Sequence, residues 1–367
     1  MQQPSANPLG SRLESDLSRV HGGVHDAELR ALDLRPDQVL DFSSSTNPYG
    51  PHPLMIEALQ SAAIERYPDS SALGAREALS AQLGVSSDRL VLGNGAADLL
   101  WNLARCLLDR GRRALCVTPT FSEFSAAAHA SGAELNEWRS RPERRFEVDL
   151  DAVAERARAG AVRVVYLCSP NTPTGSALPA NEIRAWAGSH PELEIILDQS
   201  FLSLSERFED AGVAMPRNVI SVRSLTKDHG IPGVRVGYLI ATPELCEALE
   251  ANRPAWTTSA FAQAATIAST KCGDFVRESR ERLLSDRREL DSELSKLGVE
   301  TFASQTTFLL CRVPQVTSLR SRLLANHQIL VRDCASFGLP GFMRLGAKPK
   351  AARERLLAAL RAEAVGC

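Results

Sequence analysis

An alternation in the middle of the chain constrains the fold most. The runs RALCVT (113–118), VRVVYL (162–167), LEIILD (193–198), NVISV (218–222) and RVGYLIA (235–241) are short, rich in branched residues and mostly apolar. Segments of helical periodicity, such as FSEFSAAAHASG (121–132) and ANEIRAWAGSH (180–190), lie between them. Strands buried on both faces read as continuous apolar runs, and their alternation with helices predicts an α/β fold with a mostly parallel sheet in a three-layer αβα arrangement. Ligands of such sheets gather at the carboxyl ends of the strands. Three helical patterns precede the alternation, at 54–67, 72–84 and 96–111. After about residue 255 a long helical stretch (275–298) leads into TTFLLCRV, QILVRD, FMRLGA and a last helix (351–360), the pattern of a smaller α+β domain. The expected division is an arm over 1–50 that joins the small domain, a large domain over 51–255 and the small domain over 256–367.

Length and charge narrow the function. A chain of 367 residues suits two domains, and 42 basic against 44 acidic residues imply no bulk attraction to nucleic acid. Eight cysteines, none closer than ten residues to the next, form no CxxC pair, and most sit in apolar runs where a reduced thiol packs as a small hydrophobe. With no signal-peptide core near the start and no run of 18 apolar residues, a soluble, cytoplasmic protein is expected, without membrane partners. The seven histidines show no HExxH, so a metal site is not expected.

Only five of the 42 basic residues are lysines, and Lys227 is the one lysine in the first 270 positions. In a chain that otherwise uses arginine, a lysine just beyond the run NVISV points to its amine. Buried, it can lose its proton and act as base or nucleophile, whereas arginine stays protonated. Ser224, Thr226 and Arg235 flank it with hydroxyls and a guanidinium suited to a phosphate monoester. GNGAADLL (93–100) places small residues at a helix start, where free N–H groups favour an anion. CSPNTPTG (168–175) sets Asn171 after one strand, and Asp198 ends another, where a buried acid calls for a cationic partner.

Taken in order, GNGAADLL, PTF, SPNTPTG, Asp198, SLTK and the RVGY that contains Arg235 resemble fold-type I pyridoxal phosphate (PLP) enzymes, the aspartate aminotransferase superfamily, over nearly the whole chain. The resemblance implies that Lys227 forms a Schiff base with the cofactor and moves protons at the substrate carbon, and that Asp198 pairs with the ring nitrogen. It implies further that Asn171 bonds the ring oxygen, Phe121 stacks on the ring, and Gly95, Ala96, Ser224, Thr226 and Arg235 hold the phosphate. Arg344 matches the arginine that grips a substrate carboxylate. Tyr67 matches a tyrosine that crosses to the neighbouring cofactor, which implies a homodimer.

Within the superfamily, HGG (21–23), IPGVRVGY, ILVRDCASF (329–337) and the final FMRLGAKPKAARERLLAAL are similar to the histidinol-phosphate aminotransferase group, and inside it to threonine-phosphate decarboxylase. That likeness implies that Arg332 binds a distal phosphate and that His21 lies near the substrate. The first expectation is therefore a lyase, decarboxylating an anionic α-amino acid. The alternatives are an aminotransferase of the histidinol-phosphate type, acting on an amino acid or amino-alkyl phosphate, and a specialised PLP lyase catalysing elimination or decarboxylative deamination. A ligand-sensing regulator of this fold would need a DNA-binding segment, for which the first 50 residues are too short and too poor in basic residues. The chain departs from the family pattern at DQSF (198–201), at Asp228-His229-Gly230, which sets titratable groups beside the lysine, and at FSSSTNPYG (42–50), which lines hydroxyls near the expected substrate entrance.

Overall fold

In the computed structural model, which describes residues 21–365, each of the five apolar runs contributes a strand to one sheet. Strand β1 (Leu40–Asp41) belongs elsewhere. Strands β2 (Leu90–Gly93), β3 (Arg113–Thr118), β4 (Glu134–Arg139), β5 (Val164–Cys168), β6 (Glu194–Asp198), β7 (Val219–Ser224) and β8 (Gly237–Ile240) form a seven-stranded sheet ordered β2-β8-β7-β6-β5-β3-β4. Pairings from β4 through β7 are parallel, and only β8 runs against its neighbours β7 and β2.

Because side chains alternate along a strand, β5 feeds two cores. Val164, Tyr166 and Cys168 face a layer containing Leu99, Leu103, Phe124 and Ala127, from helices Ala96–Leu107 and Glu123–Ala130. Val165 and Leu167 face Val153, Ala157, Ile183 and Trp186, from helices Leu150–Ala159 and Ala180–Ser189. The sheet is thus the middle of three layers.

Beyond the 24-residue helix Gly273–Lys296 lies an antiparallel sheet built from β9 (Glu300–Phe302), β10 (Phe308–Arg312), β12 (Arg332–Asp333) and β13 (Phe342–Gly346), in the order β12-β13-β10-β9. QILVRD does not form one strand: β11 (Ile329–Leu330) pairs in parallel with β1, while Arg332 and Asp333 join β13. Phe42, just after β1, is buried with Leu309, Met343, Leu345 and Leu356. Residues before position 50, which read as extended, include the helix Asp26–Ala31, whose Leu29 packs on Leu324 and Leu330.

One helical expectation fails in length. The pattern over 54–67 gives a helix only over Pro53–Gln60. Ile64 and Tyr67 are 74% and 76% exposed, so a longer helix would have buried no apolar face, and burial is what holds short helices together. No helix among the described residues is long and apolar enough to cross a membrane, and no group of three or more His, Cys, Asp or Glu among them is placed to hold a metal ion.

Candidate active site

The parallel strands carry Thr118, Cys168, Asp198 and Ser224 to one edge of the large sheet. Beyond that edge, facing β12 and β13, lies a cavity of about 470 Å³. Of the thirteen residues singled out from sequence, ten line it: His21, Ala96, Phe121, Asp198, Ser224, Thr226, Lys227, Arg235, Arg332 and Arg344.

Burial sets the chemistry of this wall. Burial pulls the Lys227 amine below its usual range; Asp198 opposes that shift, and Arg344 and Arg235 add to it. Lys227 Nζ has no hydrogen-bond partner among the described residues and lies 5.0 Å from the centre of the Phe201 ring. Asp198 is 2% exposed, accepts from Tyr166 Oη at 2.9 Å and from the Ser200 N–H at 2.9 Å, and has no basic side chain in ion-pair contact among the described residues. Tyr166 is held by a parallel stack on Phe124, with centroids 4.9 Å apart, and burial keeps its phenol protonated well above the usual range. A carboxyl so enclosed favours an N–H donor placed against its open side.

A second corner is built for an anion. Helix Ala96–Leu107 begins after Gly95 with no side chain capping it, and Ala96 and Ala97 open onto the cavity. Gly95 has φ +84 and ψ 166, a conformation essentially reserved for glycine, and a Cβ there would collide with the Arg235 guanidinium. Arg235 is itself in left-handed backbone and donates to Pro232 O at 3.0 Å, while the Ser224 and Thr226 hydroxyls are bonded to each other at 2.8 Å.

The opposite wall is cationic. Arg344 donates to Thr172 Oγ1 at 2.6 Å and to Ser43 O at 2.5 Å, no carboxylate pairs with it among the described residues, and burial pushes it down to about 10. Its Nε is buried without a partner. Arg332 is its partner across β12 and β13, donates to Ser336 Oγ at 2.7 Å and stacks on Phe337 at 5.0 Å.

Three predicted site residues do not line the cavity. Gly95 lies directly beneath Arg235. Asn171 donates both amide hydrogens, to Pro119 O and Thr174 Oγ1 at 2.9 Å each, and leaves Oδ1 buried without a partner. Tyr67 is on the surface, stacked on Trp256 with centroids 4.5 Å apart. The departures from the family pattern divide. Phe201, Ser44, Ser45 and Thr46 face the cavity. Asp228 and His229 do not: they are buried behind the lysine loop, with Asp228 accepting from Ser203 Oγ at 2.8 Å and from the His229 N–H at 3.0 Å. Residues 226–230 form a turn, closed by the Ile231 N–H donating to Thr226 O at 3.1 Å, and it carries both away from the cavity that Lys227 lines.

Sequence reasoning missed Glu123, Thr172, Tyr166 and Gly22. Glu123 and Thr172 each follow a predicted residue, in PTFSEF and SPNT, so spacing from Phe121 and Asn171 was the available signal.

The sequence profile of the family aminotransferase class I and II matches residues 37–360. Histidinol-phosphate aminotransferase 2 of Ralstonia nicotianae is 32% identical over 327 residues, covering 86% of each chain. Among solved structures, histidinol-phosphate aminotransferase from Sinorhizobium meliloti in complex with pyridoxal-5'-phosphate superposes with a TM-score of 0.84 at 22% identity, over 99% of this chain and 98% of that one. L-threonine-O-3-phosphate decarboxylase from Porphyromonas gingivalis superposes with a TM-score of 0.77 at 25% identity, over 88% of this chain and 98% of that one. With the family profile spanning most of its length and a site at the strand ends, the chain belongs to the aminotransferase class I and II family.

Proposed function

We propose that this protein is a PLP-dependent aminotransferase of the histidinol-phosphate type, acting on an amino-alkyl phosphate or an amino acid. The observation that carries the substrate side is the pair Arg332 and Arg344, two buried guanidiniums in register on one wall of the cavity that holds Lys227. Adjacent guanidinium forks suit a dianion such as a phosphate monoester, or two separate anionic groups. Amino transfer takes precedence over the decarboxylation expected from the motifs. The relative at 32% identity bears an aminotransferase name, whereas the decarboxylase is a structural neighbour at 25%.

The residues fit the cofactor. Its phosphate suits the Gly95 cradle, where the first-turn N–H groups of Ala96 and Ala97, the hydroxyls of Ser224 and Thr226, and Arg235 converge. Asp198 would face the ring nitrogen, and Asn171, whose Oδ1 is buried without a partner, is the amide that would hydrogen-bond the ring oxygen. Phe121 and Phe201 wall the ring space and exclude water. When bound, PLP supplies an electron-withdrawing ring that takes up the electron pair of a bond at the substrate's α-carbon.

The protein's own residues do the rest. Arg344 and Arg332 orient the substrate by its anionic group, so that the carbon bearing the amine faces Lys227. Lys227 Nζ, with its proton affinity lowered by burial, would take the proton from that carbon. Asp198, held by Tyr166 and Ser200, keeps the ring nitrogen's proton in place. We extend the proposal to a homodimer in which the exposed Tyr67 reaches the neighbouring subunit's cofactor phosphate.

The test is to incubate the purified holoprotein with histidinol phosphate and 2-oxoglutarate, and separately with L-threonine O-phosphate. Glutamate formation without carbon dioxide is expected; carbon dioxide release from L-threonine O-phosphate without amino transfer from either compound overturns the reading.

A further inference from the structure

The His21–Gly23 segment is fastened to both halves of the cavity. His21 Nε2 lies 2.7 Å from Glu123 Oε1, and the Trp101 indole donates to Glu123 Oε2 at 2.6 Å. The Gly23 N–H donates to Ser43 Oγ at 2.7 Å. Between these anchors Gly22 lies so close to the small sheet that a Cβ would collide with Ser43 O and stand 3.2 Å from Arg344 Nη2. The imidazole lies 5.4 Å from Phe121 centre to centre, and both His21 and Glu123 line the cavity.

A carboxylate only accepts hydrogen bonds, so the contact assigns the ring proton to Nε2. In the neutral imidazole the other nitrogen then presents a lone pair, since the partner of one ring nitrogen sets the role of the other. Nδ1 has no hydrogen-bond partner among the described residues. We propose that Glu123 is a positioning residue for specificity: by fixing the tautomer of His21 it offers Nδ1 as an acceptor for a ring N–H on the substrate, selecting heterocyclic amino-alkyl phosphates over isosteres without that donor. This rests on the aminotransferase reading for its choice of substrate. The division of labour is that Arg332 and Arg344 hold the anionic end, and the Glu123–His21 pair reads the side chain. A site that hydrogen-bonds a substrate N–H discriminates against a ligand that leaves its acceptor unpaired, and bound substrate would cover the imidazole, which is 41% exposed.

The experiment compares histidinol phosphate with phenylalaninol phosphate, whose ring has no N–H, on the holoenzyme and on Glu123→Gln, His21→Ala and the double variant. Both kcat/KM and the dissociation constant by calorimetry are measured for each. The wild type is expected to prefer histidinol phosphate by at least about tenfold. Each single variant should lose most of that preference through its affinity for histidinol phosphate, and the double variant should lose no more than either single one. An unchanged preference in Glu123→Gln, or additive losses in the double variant, overturns the proposal. A wild type that binds both ligands with the stated preference but transfers no amino group overturns the aminotransferase reading and leaves this one standing. Glu123→Asp, which retains the carboxylate, should recover part of the preference; a variant whose only defect is packing would not.

Discussion

Arg332 and Arg344 sit directly opposite each other on β12 and β13, 4% and 6% exposed, with both side chains on the cavity. Two cations in one buried register hold their positions best with an anion between them, and burial lowers the proton affinity of both. Replacing Arg344 by alanine removes a group bonded to Thr172 and Ser43 as well as the substrate contact. We expect kcat/KM for an anionic substrate to fall by the equivalent of about 2–5 kcal/mol, mostly through KM. Arg344→Lys should recover little, because a single ammonium cannot reproduce the guanidinium fork. Steady-state kinetics of the two variants decide it; full activity in Arg344→Lys would count against fork recognition.

Lys227 links the site to stability. Burial lowers its proton affinity in the folded cofactor-free protein, so between its lowered value and the ordinary 10.5 the unfolded chain binds more protons than the folded one. Folding stability from this group therefore rises with pH through that window, and the penalty for a buried charge is present below it. The cofactor-free variant Lys227→Met is expected to exceed the wild type in stability near neutral pH, with the gap closing as pH rises toward 10.5. Urea unfolding of both proteins across pH 7–10 measures this. The same variant should bind no cofactor covalently, and amino transfer should fall by at least about 100-fold.

Gly95 offers a test of the phosphate corner alone. Its φ of +84 with ψ of 166 strains any other residue by about 1–3 kcal/mol, and the added Cβ meets the Arg235 guanidinium. Gly95→Ala should weaken cofactor affinity by about tenfold or more, while leaving the affinity of anionic ligands at Arg344 intact. Equilibrium dialysis of the cofactor and calorimetry of a phosphate ligand separate the two effects.

How far the sequence foretold this arrangement follows from where its signals lie. Strands β3, β5, β6 and β7 were legible because both their faces are buried, and Asp198, Ser224 and Lys227 were legible because they terminate or follow such strands. Strand β4, at the sheet edge, is half-exposed and reads ELNEWR, so no apolar run announced it. Asp228 and His229, titratable groups beside Lys227 in sequence, are turned by the backbone to the far side of the lysine loop. Glu123 had only its spacing from Phe121 to mark it in sequence. Its importance comes from His21, 102 positions earlier, and from Trp101, contacts that tertiary packing alone creates.

Tyr67 lies outside its own cavity, 76% exposed and stacked on Trp256, which is itself 49% exposed. Large aromatics left on a surface mark interaction sites when they occur together, and Ile64 nearby is 74% exposed. If a second copy covers this face, the stack orients the phenol toward the neighbour's phosphate corner. Light scattering of the purified protein should then give twice the chain mass. Tyr67→Phe should leave the dimer whole but weaken cofactor affinity by roughly 0.5–1.5 kcal/mol, the range for one lost hydrogen bond. Trp256→Ala, which removes the stacking partner, should lower cofactor affinity in the same direction without touching the cavity. A monomer with full cofactor affinity would remove Tyr67 from the site.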